Sequence, residues 1–158
     1  MLQCMNRKIL LLFGIREGGK SFDKYSFYAM LFALGITIIG TLWEFFIRES
    51  YAVVWWGAAI FLLGAIIRTT ARLQLGKLFT FHVKIMDDHQ LKQDGLYKYI
   101  RHPGYVGLLM EVIAWCIFFQ TFWGTLSTIF FILPAGYYRI KVEEQILEKN
   151  IPGYTDYK

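Results

Sequence analysis

The chain has 158 residues, of which 56% are hydrophobic and 18% aromatic, and it carries 17 Lys and Arg against 12 Asp and Glu. This composition excludes intrinsic disorder, because disordered chains are poor in aromatic and other apolar residues. The charges are almost absent from three long stretches and crowded into the rest, which argues against a small soluble globule. The sequence therefore predicts an all-α integral membrane protein that forms a single domain over residues 1–158.

The three stretches of low charge set the predicted membrane spans. Residues 25–43 and 51–67 contain no charged side chain, and the long stretch after His102 contains only Glu111. About 20 helical residues cross a hydrocarbon core of about 30 Å, so the third stretch is long enough for two helices separated by a turn near Gln120. Four transmembrane helices are predicted, at about 25–47, 51–67, 104–119 and 122–138, and residues 1–20 leave room for a fifth, short N-terminal one.

The distribution of Lys and Arg around these spans predicts the orientation of the chain. Outside the spans there are five such residues before the first span, one at Arg48, seven over 68–101, none over 120–123 and four in the tail. Loops rich in Lys and Arg stay on the cytoplasmic side of a membrane. We therefore expect both termini and the 68–101 loop to face the cytoplasm. Anionic headgroups on that side account for the pI near 9.2 without a nucleic acid partner.

One sequence pattern points to a different function and is set aside. Residues 14–21 have the spelling G-x-x-x-x-G-K-S of a phosphate-binding loop. Such a loop requires a parallel sheet and a helix whose N-terminus faces the phosphates. Here the next helix is a predicted membrane span, so a basic juxtamembrane loop is the preferred interpretation. The histidines at 82, 89 and 102 follow no metal-ligand spacing, and no metal site is predicted.

A first polar cluster precedes the third predicted span. Pro103 stands where a helix begins, since its missing N–H is not needed in the first turn. Arg101 and His102 come directly before it, beside the unpaired N–H groups of the helix N-terminus. Such a terminus favours a carboxylate or a phosphate.

A second polar cluster follows the fourth predicted span. Arg139 and Glu143 are four residues apart on a helix and can pair, whereas Glu144 points about 100° away and can bind an ammonium group. If the third and fourth spans form a hairpin, their cytoplasmic ends lie side by side. The two clusters are then predicted to share one site.

The two clusters together resemble one known family. The first has the pattern H-x-L-x-x-x-G-x-Y-x-x-x-R-H-P-x-Y-x-G over 89–107, and the second has R-I-x-x-E-E-x-x-L over 139–147. This double motif is similar to that of the isoprenylcysteine carboxyl methyltransferase family, integral membrane enzymes that also resemble phospholipid N-methyltransferases. The resemblance covers about residues 68–157. It implies methyl transfer from S-adenosylmethionine to a lipophilic or membrane-embedded acceptor, such as an isoprenylcysteine-like carboxylate or a lipid amine.

The resemblance also implies roles for individual residues. The cofactor would lie in a cytosol-facing pocket formed by segments 87–107 and 139–157, with the adenosine part against four residues of the loop and the methionine part near the helix ends. Arg139 would orient the acceptor or a carboxylate. The residues implied to bind the cofactor are His89, Leu91, Gly95, Tyr97, Arg101, His102, Pro103, Tyr105, Glu143 and Glu144.

Simpler interpretations of these residues stay open. Arg139 and Glu143 could form only an exposed ion pair, and His102 could serve only to begin a helix. Tyr97, Tyr99 and Tyr105 could be aromatic residues of the membrane interface, which is the preferred interpretation for Tyr99. At the level of the whole protein, the alternatives are a sterol-reductase-like membrane reductase that uses NADPH and a non-catalytic membrane scaffold.

Glu111 lies inside a predicted membrane span, where an ionisable group is costly and marks a functional site by default. It lies two turns into the third span and could face the cofactor cavity as a catalytic residue. Alternatively it could hydrogen-bond Thr37, Thr41 or Thr125 and hold helices together. The sequence does not decide between these two roles.

Overall fold

The computed structural model describes residues 20–23, 25–48, 53–76, 83–85, 92–151 and 153–154. These ranges are dominated by helices, which confirms the predicted all-α class, and they add one short pair of strands. The elements in chain order are β1 Lys20–Asp23, α1 Tyr25–Ile47, α2 Trp55–Leu75, β2 Val83–Ile85, a 3₁₀ turn Gly95–Lys98, α3 Pro103–Phe119, α4 Phe122–Ser127, a π-helical segment Thr128–Ile132 and α5 Leu133–Asn150.

Each predicted span coincides with part of a helix, and the limits of the first and third are close to those of their helices. Helix α1 has the predicted bounds, α3 begins one residue early at Pro103, and α4 begins at Phe122. The second span is predicted at 51–67, whereas helix α2 runs over Trp55–Leu75. Arginine is a good helix former, so the charges at 68 and 72 do not end the helix. It ends at Gly76, whose φ of 50° lies in the left-handed region.

Helix α4, the π-helical segment and α5 form one continuous helix. Both junction residues, Thr128 and Leu133, have right-handed helical backbone angles. In the π-helical segment the backbone hydrogen bonds skip one residue more than in an α-helix. The fourth helix therefore extends well past the predicted span limit of 138, to Asn150.

Helices α2 and α3 pack against each other through small residues. Gly57, Gly64 and Ala71 are spaced by seven on one face of α2, and all three are buried. A Cβ atom on Gly64 would lie 2.8 Å from the Gly107 carbonyl oxygen, and one on Gly57 would lie 2.6 Å from the Phe118 nitrogen. The two backbones are thus in direct contact, as is common between membrane helices.

Helix α1 packs along the long helix through a series of polar contacts. Ser127 Oγ donates to Thr37 Oγ1 at 3.1 Å, and Thr121 Oγ1 donates to Thr41 Oγ1 at 3.5 Å. At the end of this series, the Glu44 carboxylate accepts hydrogen bonds from the backbone N–H groups of residues 122 and 123, at 2.9 and 2.7 Å. Glu44 thereby satisfies N–H groups that the first turn of α4 leaves without partners.

An apolar cluster joins α1, α3 and the long helix. Its buried members are Ala33, Val112 and Ile132. Most of the remaining large apolar side chains of α1 and α2 point outward. Tyr25–Ile47 and Trp55–Leu75 are long and apolar enough to cross a membrane, with mean hydropathy of 1.9 and 1.4 over their best windows, and Pro103–Phe119 is a shorter apolar helix.

Strands β1 and β2 form a small antiparallel pair. Lys20 pairs with Ile85 and Ser21 with Lys84, with an irregularity before Asp23. The end of the phosphate-loop-like pattern therefore lies in an antiparallel pair rather than before a nucleotide-binding helix. Strand β2 also contacts α5, which places Val83–Ile85 beside the C-terminal helix.

Candidate functional site

The start of α3 fixes the first polar cluster. Pro103 is the first helical residue and is fully buried, while His102 precedes the helix with non-helical backbone angles. The backbone N–H groups of Tyr105 and Val106 donate to the His102 carbonyl oxygen at 3.1 and 3.2 Å. Arg101 and His102 are thus held at the helix end, as the X-Pro sequence predicts.

Glu144 of α5 brings the two clusters together. Its Oε1 atom lies 3.3 Å from Arg101 Nη1 and 3.4 Å from His102 Nε2, and the residue is buried. Arg101 and Glu144 are 43 residues apart in the chain. The juxtaposition expected from a hairpin of the last two predicted spans is therefore present in the structure.

Two buried polar atoms of this cluster lack hydrogen-bond partners among the described residues. His102 Nε2 is close to Glu144 but is not aligned for a hydrogen bond, and Glu143 Oε2 lies 4.0 Å from His102 Nδ1. Buried polar groups are normally hydrogen-bonded, because leaving one without a partner costs about 1–3 kcal/mol. The cluster therefore has capacity to accept a polar ligand.

Arg139 lies next to this cluster and is itself buried. Its Nε donates to the Tyr105 hydroxyl at 2.8 Å, and its Nη1 donates to Ser26 Oγ at 3.1 Å. The guanidinium carbon is 5.6 Å from the centre of the Phe27 ring, within range of a cation–π contact. Tyr105 also interacts with Glu143, so it has both the arginine and one of the two carboxylates as neighbours.

Sequence reasoning missed Ser26 and Phe27 as members of the site. Both belong to the first turn of α1, and Ser26 stands 113 residues before Arg139 in the chain. A serine at the start of an apolar helix carries no motif that could have indicated this contact.

Gly95 and Tyr97 hold the loop against the end of α2. Gly95 has a φ of 61°, and a Cβ atom there would lie 2.5 Å from the Gln74 side-chain amide. Leu96 N–H donates to Gln74 Oε1 at 2.9 Å, and the Tyr97 hydroxyl donates to the Ala71 carbonyl oxygen at 3.3 Å. These two predicted cofactor residues thus have structural contacts that position the segment leading to Arg101.

Two other predicted cofactor residues and the surface residue Asp94 belong to the same loop. His89 and Leu91, both predicted to contact the cofactor, lie outside the described residues. Asp94 precedes the 3₁₀ turn at the surface, where a hydrogen bond from the Lys92 ammonium holds the pKa of its carboxyl below the ordinary value. That pair is solvent-exposed and contributes little to stability.

Glu111 faces α2 rather than the threonines proposed as its partners. Its Oε1 atom is 2.9 Å from Arg68 Nε. Thr37 and Thr41, two of the proposed partners, instead bond to Ser127 and Thr121. A contact with a neighbouring helix is one of the two roles considered for Glu111; its partner in the structure is Arg68 and not Thr37 or Thr41, because Arg68 was assigned to a loop and lies in a helix.

Comparison with known proteins gives the family of this chain. The family model described as the isoprenylcysteine carboxyl methyltransferase (ICMT) family matches residues 57–149, which include both polar clusters. The chain belongs to this family. The resemblance read from the double motif is thus confirmed. No solved structure matches the chain.

Relatives with assigned names agree with the family match. A protein-S-isoprenylcysteine O-methyltransferase of Schizosaccharomyces pombe is 34% identical over 152 residues, which is 88% of this chain and 57% of the relative. One of Dictyostelium discoideum is 32% identical over 130 residues, 73% of this chain and 51% of the relative. The chain thus spans about half the length of these family members. Ser26 and Phe27 precede the residues that the family model matches.

Proposed function

We propose that the chain is an integral membrane methyltransferase that transfers a methyl group from S-adenosylmethionine to the carboxylate of an isoprenylcysteine-like acceptor. The observation that carries the proposal is the cluster in which Arg101 and His102 meet Glu144 across 43 residues of sequence. This cluster lies inside the region matched by the family. The names of the relatives support the acceptor class.

The distribution of aromatic side chains supports the placement of four spans in a membrane. Exposed tryptophans gather at the end of the molecule where α1 ends and α2 and α4 begin, and they are Trp43, Trp55, Trp56 and Trp123. Exposed tyrosines lie near the end that carries the candidate site, and they are Tyr25, Tyr28, Tyr99, Tyr137 and Tyr138. Tyr25 and Trp43 are about 27 Å apart along α1. Such spacing suits the two interfaces of a bilayer. The site and both termini would then face the cytoplasm.

The candidate site fits the methionine part of S-adenosylmethionine, which carries an ammonium and a carboxylate. The partnerless Glu143 Oε2 and the Glu144 carboxylate suit the ammonium, while Arg101 and the partnerless His102 Nε2 suit the carboxylate. Gly95 and Tyr97 support cofactor binding indirectly, because they hold the loop that carries Arg101. When bound, S-adenosylmethionine supplies a methyl group that its sulfonium already makes electrophilic.

The remaining task of the protein is to position the reactants and exclude water. Arg139 is the residue we assign to the acceptor carboxylate, since Ser26 and Tyr105 hold its guanidinium in one orientation. Good alignment of two bound reactants contributes up to about 7–11 kcal/mol to a rate. Glu111 contacts Arg68 on the α2 side of α3, so we assign it no contact with the reacting groups. Normal turnover of Glu111→Gln would agree with that assignment.

The proposal is tested with the full chain purified in detergent. Titration with S-adenosylmethionine and separately with NADPH should show binding of the first only. Transfer of a labelled methyl group to N-acetyl-S-farnesylcysteine should follow. Glu144→Gln should weaken donor binding roughly tenfold or more, because it removes a charged hydrogen-bonding partner. Glu148→Gln, an exposed change one turn further along α5, is the matched control.

Three outcomes would contradict the proposal. Binding of NADPH alone would favour a membrane reductase, and binding of neither compound would favour a scaffold. Equal donor affinity in Glu144→Gln and the unchanged protein would show that the pocket lies elsewhere.

A further inference from the structure

Two lysines at the end of the molecule that carries the candidate site lie over exposed tyrosine rings. Lys98 Nζ is 5.7 Å from the centre of the Tyr99 ring, and Lys141 Nζ is 5.5 Å from the centre of the Tyr137 ring. Both distances are within the range of a cation–π contact. Tyr99 is 81% exposed, Tyr137 is 65% exposed, and both lysines are exposed as well. Each pair thus presents an ammonium group and an aromatic ring at the surface.

These lysines differ from other basic residues of the protein in what surrounds their charge. Within the described ranges, four other basic residues each have a carboxylate oxygen within 3.3 Å, and they are Arg48, Arg68, Lys92 and Arg101. Lys98 and Lys141 form no such ion pair with a described residue. Their charges are therefore not neutralised by that part of the chain.

The two lysine–tyrosine pairs come from different elements but lie close to one ion pair. Arg101 Nη1 of the loop is 3.3 Å from Glu144 Oε1 of α5. Lys98 stands three residues before Arg101, and Lys141 stands three residues before Glu144, so that it neighbours Glu144 on the helix surface. The two pairs thus form one basic rim at the meeting point of the loop and α5.

The basic rim lies at the depth of one bilayer interface. The residue before Lys98 donates its hydroxyl to the Ala71 carbonyl oxygen, and Ala71 follows Trp55 by about 24 Å along α2. Lys141 follows Trp123 by 18 residues, or about 27 Å along the long helix. Both tryptophans belong to the opposite interface. Both distances agree with the interface spacing of about 27 Å along α1, so the two lysines lie at headgroup level.

We propose that the basic rim binds anionic phospholipid headgroups, with phosphates on Lys98 and Lys141. Phosphate oxygens accept charge-assisted hydrogen bonds from ammonium groups, and the cytoplasmic leaflet is rich in anionic lipid. The tyrosine rings and Ile100, which is 37% exposed, place apolar surface beside the lysines. A lipid contacts such a surface, whereas a free phosphate does not. The inference rests on the membrane placement proposed above and is independent of methyl transfer.

The test is a titration of the detergent-purified chain with anionic dioleoylphosphatidylglycerol and separately with dioleoylphosphatidylcholine, which has no net charge. Native mass spectrometry counts the bound lipid. The unchanged protein should bind phosphatidylglycerol more tightly. Lys98→Gln and Lys141→Gln should each weaken that binding about fivefold, the effect of one basic residue near an anionic headgroup, and leave phosphatidylcholine binding unchanged. Lys141→Arg keeps the charge and should keep the affinity.

Lys149→Gln is the matched control. It removes the same charge from an exposed position of the same helix, eight residues and about 12 Å further from the membrane. That distance exceeds the Debye length of about 8 Å at physiological ionic strength. The control should therefore bind phosphatidylglycerol like the unchanged protein.

Four outcomes would overturn the proposal. They are equal affinity of the unchanged protein for the two lipids, full phosphatidylglycerol affinity in both Lys98→Gln and Lys141→Gln, an equal loss in Lys149→Gln, and displacement of the lipid by inorganic phosphate. Thermal unfolding reports whether each variant folds, and since the two lysines lie on different elements, either variant alone decides the test. Release of the chain from membranes by alkaline carbonate would refute the membrane placement itself, whatever the result for methyl transfer.

Discussion

The arrangement of Arg139 shows how a buried cation is fixed in this protein. The side chain is almost inaccessible, and two oxygen atoms and an aromatic ring from two other helices surround it. Holding a guanidinium in one orientation requires such fixed acceptors, since an arginine side chain loses about 2 kcal/mol of rotamer entropy when it is immobilised. These three contacts to Arg139 come from residues that carry no charge.

Removal of one of these acceptors gives a test at the residue scale. Tyr105→Phe deletes the oxygen that accepts from Arg139 Nε and leaves the ring in place. We expect kcat for methyl transfer to fall about tenfold, because a buried charged donor without its acceptor costs about 1–3 kcal/mol. Tyr99→Phe removes the same atom from a side chain that is 81% exposed and should leave kcat unchanged. Equal kcat values in the two variants would separate Tyr105 from the reaction.

The sequence predicted those site residues that share a motif and missed those that meet only in space. Arg101, His102 and Glu144 stand in two dense polar patterns at the ends of one hairpin, so their approach follows from topology. Ser26, Arg68 and Gln74 reach their partners from helices with no comparable pattern. Such contacts depend on how helices are rotated about their axes, and periodicity constrains that rotation only loosely when a helix is apolar on every side.

At the scale of elements, α2 and α3 can pack closely because both have glycine at the point of contact. The Gly64 and Gly107 backbones approach so closely that a methyl group on either would meet a carbonyl oxygen within 2.8 Å. Helices in lipid gain little from hydrophobic burial against one another, so close packing has to supply much of the stability. This contact lies one helical turn from Arg68 and Glu111 and sets the distance at which they meet.

Two glycine substitutions compare this contact with an open position. Gly64→Ala places a Cβ against the Gly107 carbonyl and should destabilise the protein by about 1–3 kcal/mol, as overpacking does. Gly35→Ala meets nothing within 4 Å and should be neutral or stabilising by up to about 1 kcal/mol, since alanine favours a helix. Thermal unfolding in detergent measures both. A Gly64→Ala variant as stable as Gly35→Ala would show that the helices can separate at no cost.

The ends of a helix could be predicted where an uncharged stretch of sequence ends at the same residues as the helix. In α1 the apolar stretch and the helix nearly coincide, and the predicted limits of 25–47 are those observed. In α2 they differ, because the helix continues for about two turns beyond Ile67, the last residue of the uncharged stretch. Charge marks where a chain leaves hydrocarbon, whereas backbone angles such as that of Gly76 mark where a helix ends.

At the scale of the whole molecule, the two ends have different chemistry. One end has exposed tryptophans and the Glu44 contact with α4, and the other has the tyrosines, the candidate site and the ends of α2 and α5. Among the residues that the structure describes, most Lys and Arg lie at the second end. This polarity supports the proposed orientation and predicts which residues a reagent outside the cell can reach.

The orientation is tested with single cysteines in a Cys4→Ser background, since Cys116 is buried. Gln120→Cys lies in the turn between α3 and α4, and Lys149→Cys lies near the end of α5; both positions are exposed. A membrane-impermeant maleimide added to intact cells should label the first variant only, and lysis should expose the second. The reverse labelling pattern would refute cytoplasmic placement of the site.

The π-helical segment at Thr128–Ile132 determines which face each half of the long helix turns toward α1. Along α1, the contacts at Ser26 and Thr37 are 11 residues apart, whereas their partners Arg139 and Ser127 are 12 residues apart. At about 100° per residue, 11 residues return a helix to within about 20° of the same face, but 12 leave it about 120° away. The wider turns of the segment absorb one residue and correct this mismatch. The half that carries Ser127 and the half that carries Arg139 can thus both face α1 although the spacing of their contact residues differs from that on α1.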